Sequence, residues 1–271
     1  MKFAVFVTEK YIPGLVALVE SIRESSGFSD EEIEFAVIKT PETELDRDKL
    51  PKEIKFEVFN TTDLGKFEFD ESLFLKKAKK WKTIQNKILV FKLPYEENIC
   101  YLDVDILCLG DITELKNFKP LTASIAFNSK GPQTVLGNYL TFCAGFFVFR
   151  PSNELFDEIQ EFALGYKDKI NSGDQVLLNN FFYSKYPNDV HLLGLEWGTD
   201  IRIKKIIPKH YKSLLKDQKV KFLHFTKVNP WMDYKEKWTW YILNTWRKFY
   251  WRKECKLWWE YYNRAIKQND K

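Results

Sequence analysis

The chain has 271 residues, 45% hydrophobic and 30% charged, enough apolar material for a large core and enough charge for a soluble surface. A net charge of +4 is too small to imply nucleic acid as a partner, and no uninterrupted apolar run is long enough to span a bilayer. Cys100, Cys108, Cys143 and Cys255 are scattered without a C-x-x-C pair, which argues against a zinc site and fits a reducing compartment.

Phe3-Ala4-Val5-Phe6-Val7 predicts a buried strand over residues 2–8. The run breaks at Thr8-Glu9-Lys10, too short for a signal-peptide core, so a cytoplasmic location is expected. Leu15, Leu18, Val19 and Ile22 then recur at helical spacing, up to Gly27. Residues 34–38 and 56–59 read as strands, with polar loop or short helix over 41–51 between them. Strands alternating with helices from the start predict a mostly parallel sheet. Residues 76–92 read as a helix with Trp81, Ile84, Ile88 and Phe91 on one face, ended by Pro94.

Next comes Ile99-Cys100-Tyr101-Leu102-Asp103-Val104-Asp105-Ile106-Leu107, an apolar run holding two carboxylates two residues apart. On a strand such residues share a face, so Asp103 and Asp105 are expected to converge on one ligand. Charges inside an apolar run are costly unless paired or metal-bound. Asp46-Arg47-Asp48 has the same spacing, but among Glu44 and Lys49 it reads as a solvated loop.

Asp111-Ile112-Thr113-Glu114 is a capping-box pattern that predicts a short helix. Residues 123–127 and 145–149 read as strands, and Pro151-Ser152 starts a helix reaching about residue 166. Ser172-Gly173-Asp174-Gln175 is a second box, opening a helix through Leu177, Leu178 and Phe181 whose N-terminus favours an anion. Residues 221–225 form the last predicted strand; from residue 234 the chain reads as helical, aromatic and basic.

Ligands of open α/β sheets sit beyond the carboxyl ends of strands, where Thr8-Glu9, Asp103, Asp105 and His224 fall. Two carboxylates and an imidazole suit Mn²⁺ or Mg²⁺, with waters and a diphosphate completing the shell.

Four motifs occur in order: Tyr101-Leu102-Asp103-Val104-Asp105, Gly145-Phe146-Phe147-Val148-Phe149-Arg150-Pro151-Ser152, Gly173-Asp174-Gln175-Val176-Leu177-Leu178-Asn179, and His224-Phe225-Thr226 with Pro230-Trp231. Together they resemble glycosyltransferase family 8, the glycogenin-like retaining enzymes. The resemblance implies an α/β GT-A fold with a mostly parallel sheet over residues 1–231, and leaves 232–271 as a helical extension. It implies a metal-dependent retaining transfer of a hexose from a UDP-sugar to a hydroxyl on a glycan, glycolipid or protein. Asp103, Asp105 and His224 would bind Mn²⁺ or Mg²⁺. Val7, Thr8, Tyr11 and Val104 would lie along the nucleotide. Lys87, and Lys227 in the closing motif, would meet the diphosphate. Asp174 and Gln175 would stand near the anomeric carbon.

Three departures bear on the donor sugar. The family usually has Asn-Ala-Gly or Asn-Ser-Gly where this chain has Cys143-Ala144-Gly145. It usually has an Asp near Ala126, where the nearest polar residue here is Asn128. Its closing His-Phe-x-Gly-x-x-Lys-Pro-Trp is one residue shorter here and lacks the Gly.

Each residue also has an ordinary reading: His224 as a core histidine, Asp174 as a helix cap, Lys87 as a solvated lysine, Cys143 as a small buried apolar residue. Two other functions stay open, a nucleotidyltransferase and a non-catalytic carbohydrate- or membrane-binding protein. The first lacks its usual glycine-rich loop after the first strand. The segment after Trp231 carries ten Lys/Arg against five Asp/Glu among many Trp and Tyr. It reads either as a helix packing on the core or as an interfacial helix over residues 236–266 in peripheral contact with a membrane.

Overall fold

The run of small and aromatic apolar residues after Met1 forms β1 (Lys2–Val7), with Phe3, Ala4, Val5 and Val7 wholly buried. The computed structural model describes residues 1–69, 84–128, 130–166, 174–226, 228–232, 246 and 249–269. After β1 comes α1 (Ile12–Ser25), with Pro13 in its first turn, where the missing N–H is harmless. Gly27, at φ +81°, turns the chain out of this helix. β2 (Glu34–Lys39) and β3 (Lys55–Asn60) then lie parallel to β1, with Phe35 stacked on Phe56 at 5.4 Å between centroids. A single turn, α2 (Thr61–Leu64), follows.

Of the helix expected over 76–92, residues 76–83 lie outside the described residues. Ile84–Lys92 is a 3-10 helix rather than an α-helix. Lys87, Ile88, Leu89, Val90 and Phe91 are five consecutive buried residues, more than the single stripe an amphipathic helix would bury.

The apolar run carrying the two aspartates is not one strand. It forms β4 (Ile99–Leu102) and β5 (Ile106–Cys108), with Asp103-Val104-Asp105 as the turn between them. Downstream, Asp111 does not close a reciprocal box. Its Oδ1 accepts from the Thr113 N–H and hydroxyl, two residues on, before a 3-10 helix at Thr113–Asn117. β6 (Thr122–Ile125) leads into two short antiparallel pairs, β7 (Phe127–Asn128) with β8 (Gly131–Pro132) and β9 (Thr134–Val135) with β10 (Tyr139–Leu140). Then follow β11 (Phe142–Phe149), α3 (Asn153–Gly165), α4 (Asp174–Lys185), β12 (His191–Leu193) and β13 (Thr199–Asp200). The Ser152 hydroxyl caps α3 by accepting from Leu155 N–H at 3.0 Å, as its position after Pro151 predicts. The chain ends with α5 (Ile203–Ile206), α6 (Pro208–Lys216), β14 (Phe222–His224) and α7 (Arg252–Asn269).

The main sheet has seven strands in the order β12-β6-β11-β4-β1-β2-β3. β11 runs antiparallel to both β4 and β6, and the other pairs are parallel. This is the mixed, mostly parallel sheet of a GT-A-like fold. A second sheet has the order β13-β14-β5. The crossing from β4 to β5 therefore carries the chain from one sheet to the other.

Residues 233–245, 247 and 248 of the extension lie outside the described residues. α7 itself buries Trp251 just before it and Cys255, Trp258, Tyr261 and Ala265 along one face, in the clusters that hold α1, β5 and β14. Its buried Glu254 accepts from Lys204 and from the Tyr211 hydroxyl, tying the helix to α5 and α6. Among the described residues no helix is long and apolar enough to cross a membrane.

Candidate active site

The crossing between the sheets, not strand periodicity, brings the carboxylates together. Asp103 N–H donates to the Gly145 carbonyl at 2.8 Å, fixing one end of the turn to β11. Phe225 N–H donates to the Asp105 carbonyl at 2.8 Å, fixing the other end to the chain leaving β14. His224 is the last residue of β14, facing Ile106 across the antiparallel pair. Its Nε2 lies 3.1 Å from Asp105 Oδ1. One donor atom each from Asp103, Asp105 and His224 lie within 4.8 Å of one another.

Two glycines keep this place open. A Cβ on Gly145 would stand 2.6 Å from His224 Cε1 and 2.7 Å from Asp103 Oδ2, between two donors. A Cβ on Gly14 would stand 2.6 Å from the Val104 carbonyl and 2.9 Å from the Trp231 ring, so α1 approaches the turn only because it has none there. Oxygen and imidazole donors converging beside a glycine cradle fit a divalent cation such as Mn²⁺ or Mg²⁺.

Lys87 is buried beside these residues, not solvated. Its ammonium is 2.5 Å from Asp174 Oδ2 and 3.2 Å from Asp103 Oδ1, and it donates to the Ala144 carbonyl at 3.1 Å. Two of the ammonium's three protons go to Asp103 Oδ1 and the Ala144 carbonyl, and the contact with Asp174 is an ion pair. Sequence reasoning aimed Lys87 at a diphosphate; the structure aims it at two carboxylates. Burial would lower the Lys87 pKa, but Asp103 and Asp174 outweigh it and raise the value. Burial raises that of Asp174, only partly offset by Lys87. Burial likewise opposes the charge on Asp105, yet His224 and Lys87 hold its pKa below the usual range. The Asp105 carboxylate raises His224 well above the usual imidazole value against the effect of burial.

Gln175, on the first turn of α4, accepts from Ala144 N–H at 3.4 Å and donates to Gln133 Oε1 at 2.9 Å. Val7 is buried at the end of β1 and Thr8 is half-buried, its carbonyl accepting from Tyr11 N–H at 2.7 Å. The Tyr11 ring meets Trp231 edge-on at 6.1 Å, and Trp231 Nε1 donates to the Lys10 carbonyl at 2.9 Å. Residues 8–11, Gly14, Val104 and Trp231 thus form one wall next to the acidic turn. Lys227, Ser172, Gly173 and the Asn128 side chain lie outside the described residues.

Four contributors were missed by sequence reasoning. The Tyr101 hydroxyl donates to Asp103 Oδ1 at 2.8 Å; the alternation from Tyr101 to Asp103 was the signal available. Asn179, wholly buried on α4, clamps both backbone groups of Phe142 at 2.8 and 2.9 Å. Gln133 fixes the Gln175 amide from a loop whose approach no local pattern announces. Cys143 is half-buried, with Sγ 3.7 Å from His224 Nδ1.

The family model for Glycosyl transferase family 8 matches residues 3–235. The Arabidopsis thaliana protein named "Putative UDP-glucuronate:xylan alpha-glucuronosyltransferase 5" is 24% identical over 268 residues, covering 96% of this chain and 41% of that protein. The chain therefore spans less than half the length of this curated relative. The crystal structure of the galactosyltransferase LgtC with donor and acceptor sugar analogues is similar at a TM-score of 0.65 and 18% identity, covering 97% of this chain and 95% of that one. Apo mouse xyloside xylosyltransferase 1 is similar at a TM-score of 0.55 and 13% identity, covering 84% and 98%.

Proposed function

The chain belongs to glycosyl transferase family 8, and we propose that it moves a hexose from a UDP-sugar to a hydroxyl acceptor on a glycan, glycolipid or protein, with retention at the anomeric carbon. The observation that carries this reading is the convergence of Asp103, Asp105 and His224 beside Gly145. These three would hold Mn²⁺ or Mg²⁺. When bound, such an ion supplies Lewis-acid neutralisation of charge on the diphosphate leaving group.

The protein's own groups do the positioning. The wall of Thr8, Tyr11 and Val104, backed by buried Val7 at the end of β1, receives the nucleotide. Asp174 and Gln175 orient sugar and acceptor for attack on the face the leaving group departs from. Lys87 holds Asp103 and Asp174 in place as their buried counter-ion, and Lys227 is the candidate for a direct phosphate contact.

The proposal extends to location. The outward face around α7 presents Trp246, Phe249 and Trp259 beside exposed Arg252, Lys253 and Lys256. Exposed aromatics set among basic residues suit an anionic membrane surface, and on this reading the protein is cytoplasmic and binds such a surface peripherally.

The test is incubation with Mn²⁺ and UDP-glucose, UDP-galactose, their N-acetyl forms or UDP-glucuronate, reading UDP release. Release from one donor, abolished in Asp105→Ala, is expected. Binding without release from any donor would favour a non-catalytic carbohydrate-binding protein, and pyrophosphate release from UTP with a sugar phosphate would favour a nucleotidyltransferase.

A further inference from the structure

His224 is gripped on three sides. Nε2 faces Asp105 Oδ1 at 3.1 Å, Cε1 packs over Gly145, and Nδ1 faces Cys143 Sγ at 3.7 Å. Cys143 is itself fixed from both neighbours. Phe142 is clamped by Asn179 at both backbone groups. Ala144 gives its N–H to Gln175 and its carbonyl to Lys87. Cys100, Cys108 and Cys255 are buried, whereas Cys143 is half-buried and its sulfur meets a site residue.

An imidazole that ligates a cation through one nitrogen must carry its proton on the other, and the partner of that second nitrogen sets tautomer and ring orientation. The usual partner is a carboxylate or carbonyl oxygen; among the described residues the side chain at Nδ1 is a thiol, a weak acceptor. We infer that Cys143 is a positioning residue for the cation site: its sulfur accepts the Nδ1 proton of His224 and so presents Nε2 toward Asp103 and Asp105. The inference rests on the metal reading of the site. It concerns a position where this chain departs from the residues the family usually carries.

The first test is Mn²⁺ affinity, read by electron paramagnetic resonance of free Mn²⁺, for the full chain and for Cys143→Ala without donor sugar. Loss of a ligand-orienting partner weakens metal binding about 10- to 100-fold, and that loss is expected here with melting in EDTA unchanged. Equal affinity in the two proteins overturns the inference. Absence of Mn²⁺ binding in the unaltered chain overturns the metal reading itself, a distinguishable result. The second test needs no variant. In ¹⁵N-histidine-labelled protein saturated with Mg²⁺, the His224 ring is expected to carry its proton on Nδ1. A proton on Nε2 overturns the assignment whatever the alanine variant does.

Discussion

Lys87 is the residue on which most of the site's charge balance turns. It neutralises Asp103 and Asp174 from a position only 5% exposed, and Asp174 is only 4% exposed. Removing one partner of a buried pair typically costs about 3–5 kcal/mol, because the other charge is stranded. Lys87→Met is therefore expected to lose that much stability in urea denaturation, and Lys87→Met with Asp174→Asn to regain part of it. A loss below about 1 kcal/mol in the single variant would mean the ammonium is not holding these carboxylates and is available to a ligand instead. At this scale the sequence was informative where a residue type restricts chemistry. Asp103 and Asp105 were legible because charge in an apolar run demands a partner, and His224 because it falls at the end of a strand. Lys87 was legible as a participant but not in its direction, since nothing local says that a lysine will be swallowed by its neighbours. Cys143 reads from sequence as a small apolar residue, and only the fold puts it against the imidazole.

Among the elements, β1, α1, β2, β3, α3 and β14 follow from apolar runs, helical period and caps in their own sequence. The acidic turn does not. Ile99 to Leu107 looks like one strand, yet it serves two sheets, and that break depends on partners β11 and β14 from far along the chain. The 3-10 segment Ile84–Lys92 likewise buries Lys87 to Phe91 in succession, which a helical stripe does not predict. In α1, Glu20 is wholly buried, and burial pushes its carboxyl up to about 7, with Arg23 opposing and Glu24 adding. Arg23 also reaches Gln268, and Glu24 pairs with Arg264, both on α7. A carboxyl whose folded value lies above its unfolded 4.5 binds more protons folded than unfolded between those values. Its contribution is thus complete below about pH 4.5 and is lost as pH rises through about 7, by about 3 kcal/mol at most. The melting temperature of Glu20→Gln minus that of the unaltered chain is expected to increase from pH 5 to pH 8. A constant difference would show that Arg23 keeps the carboxylate charged throughout.

For the whole molecule, the two sheets meet at the acidic turn, and α7 covers the side that α1 and the second sheet share. The extension has an inner face in the core, as one sequence reading expects, and an outer face of exposed aromatics and bases, on which the membrane proposal rests. Sequence could not divide them, because aromatics occur all round the segment and only contact with α1, α5 and α6 selects the inner set. Sedimentation with anionic vesicles is expected for the full chain and is weakened but not abolished by salt. Phe249→Ser with Lys253→Glu and Lys256→Glu should lose it while keeping the same melting temperature. Sedimentation unchanged in that variant would remove the α7 face from the account.

If Asp103, Asp105 and His224 hold a divalent cation as proposed, the diphosphate of a nucleotide-sugar binds through it. Calorimetric titration of UDP into the full chain, with Mn²⁺ and with EDTA, and into Asp105→Ala with Mn²⁺, is the decisive measurement. Binding in the first case and none in the other two is the result predicted. UDP affinity that is equal with Mn²⁺, with EDTA and in Asp105→Ala would contradict it.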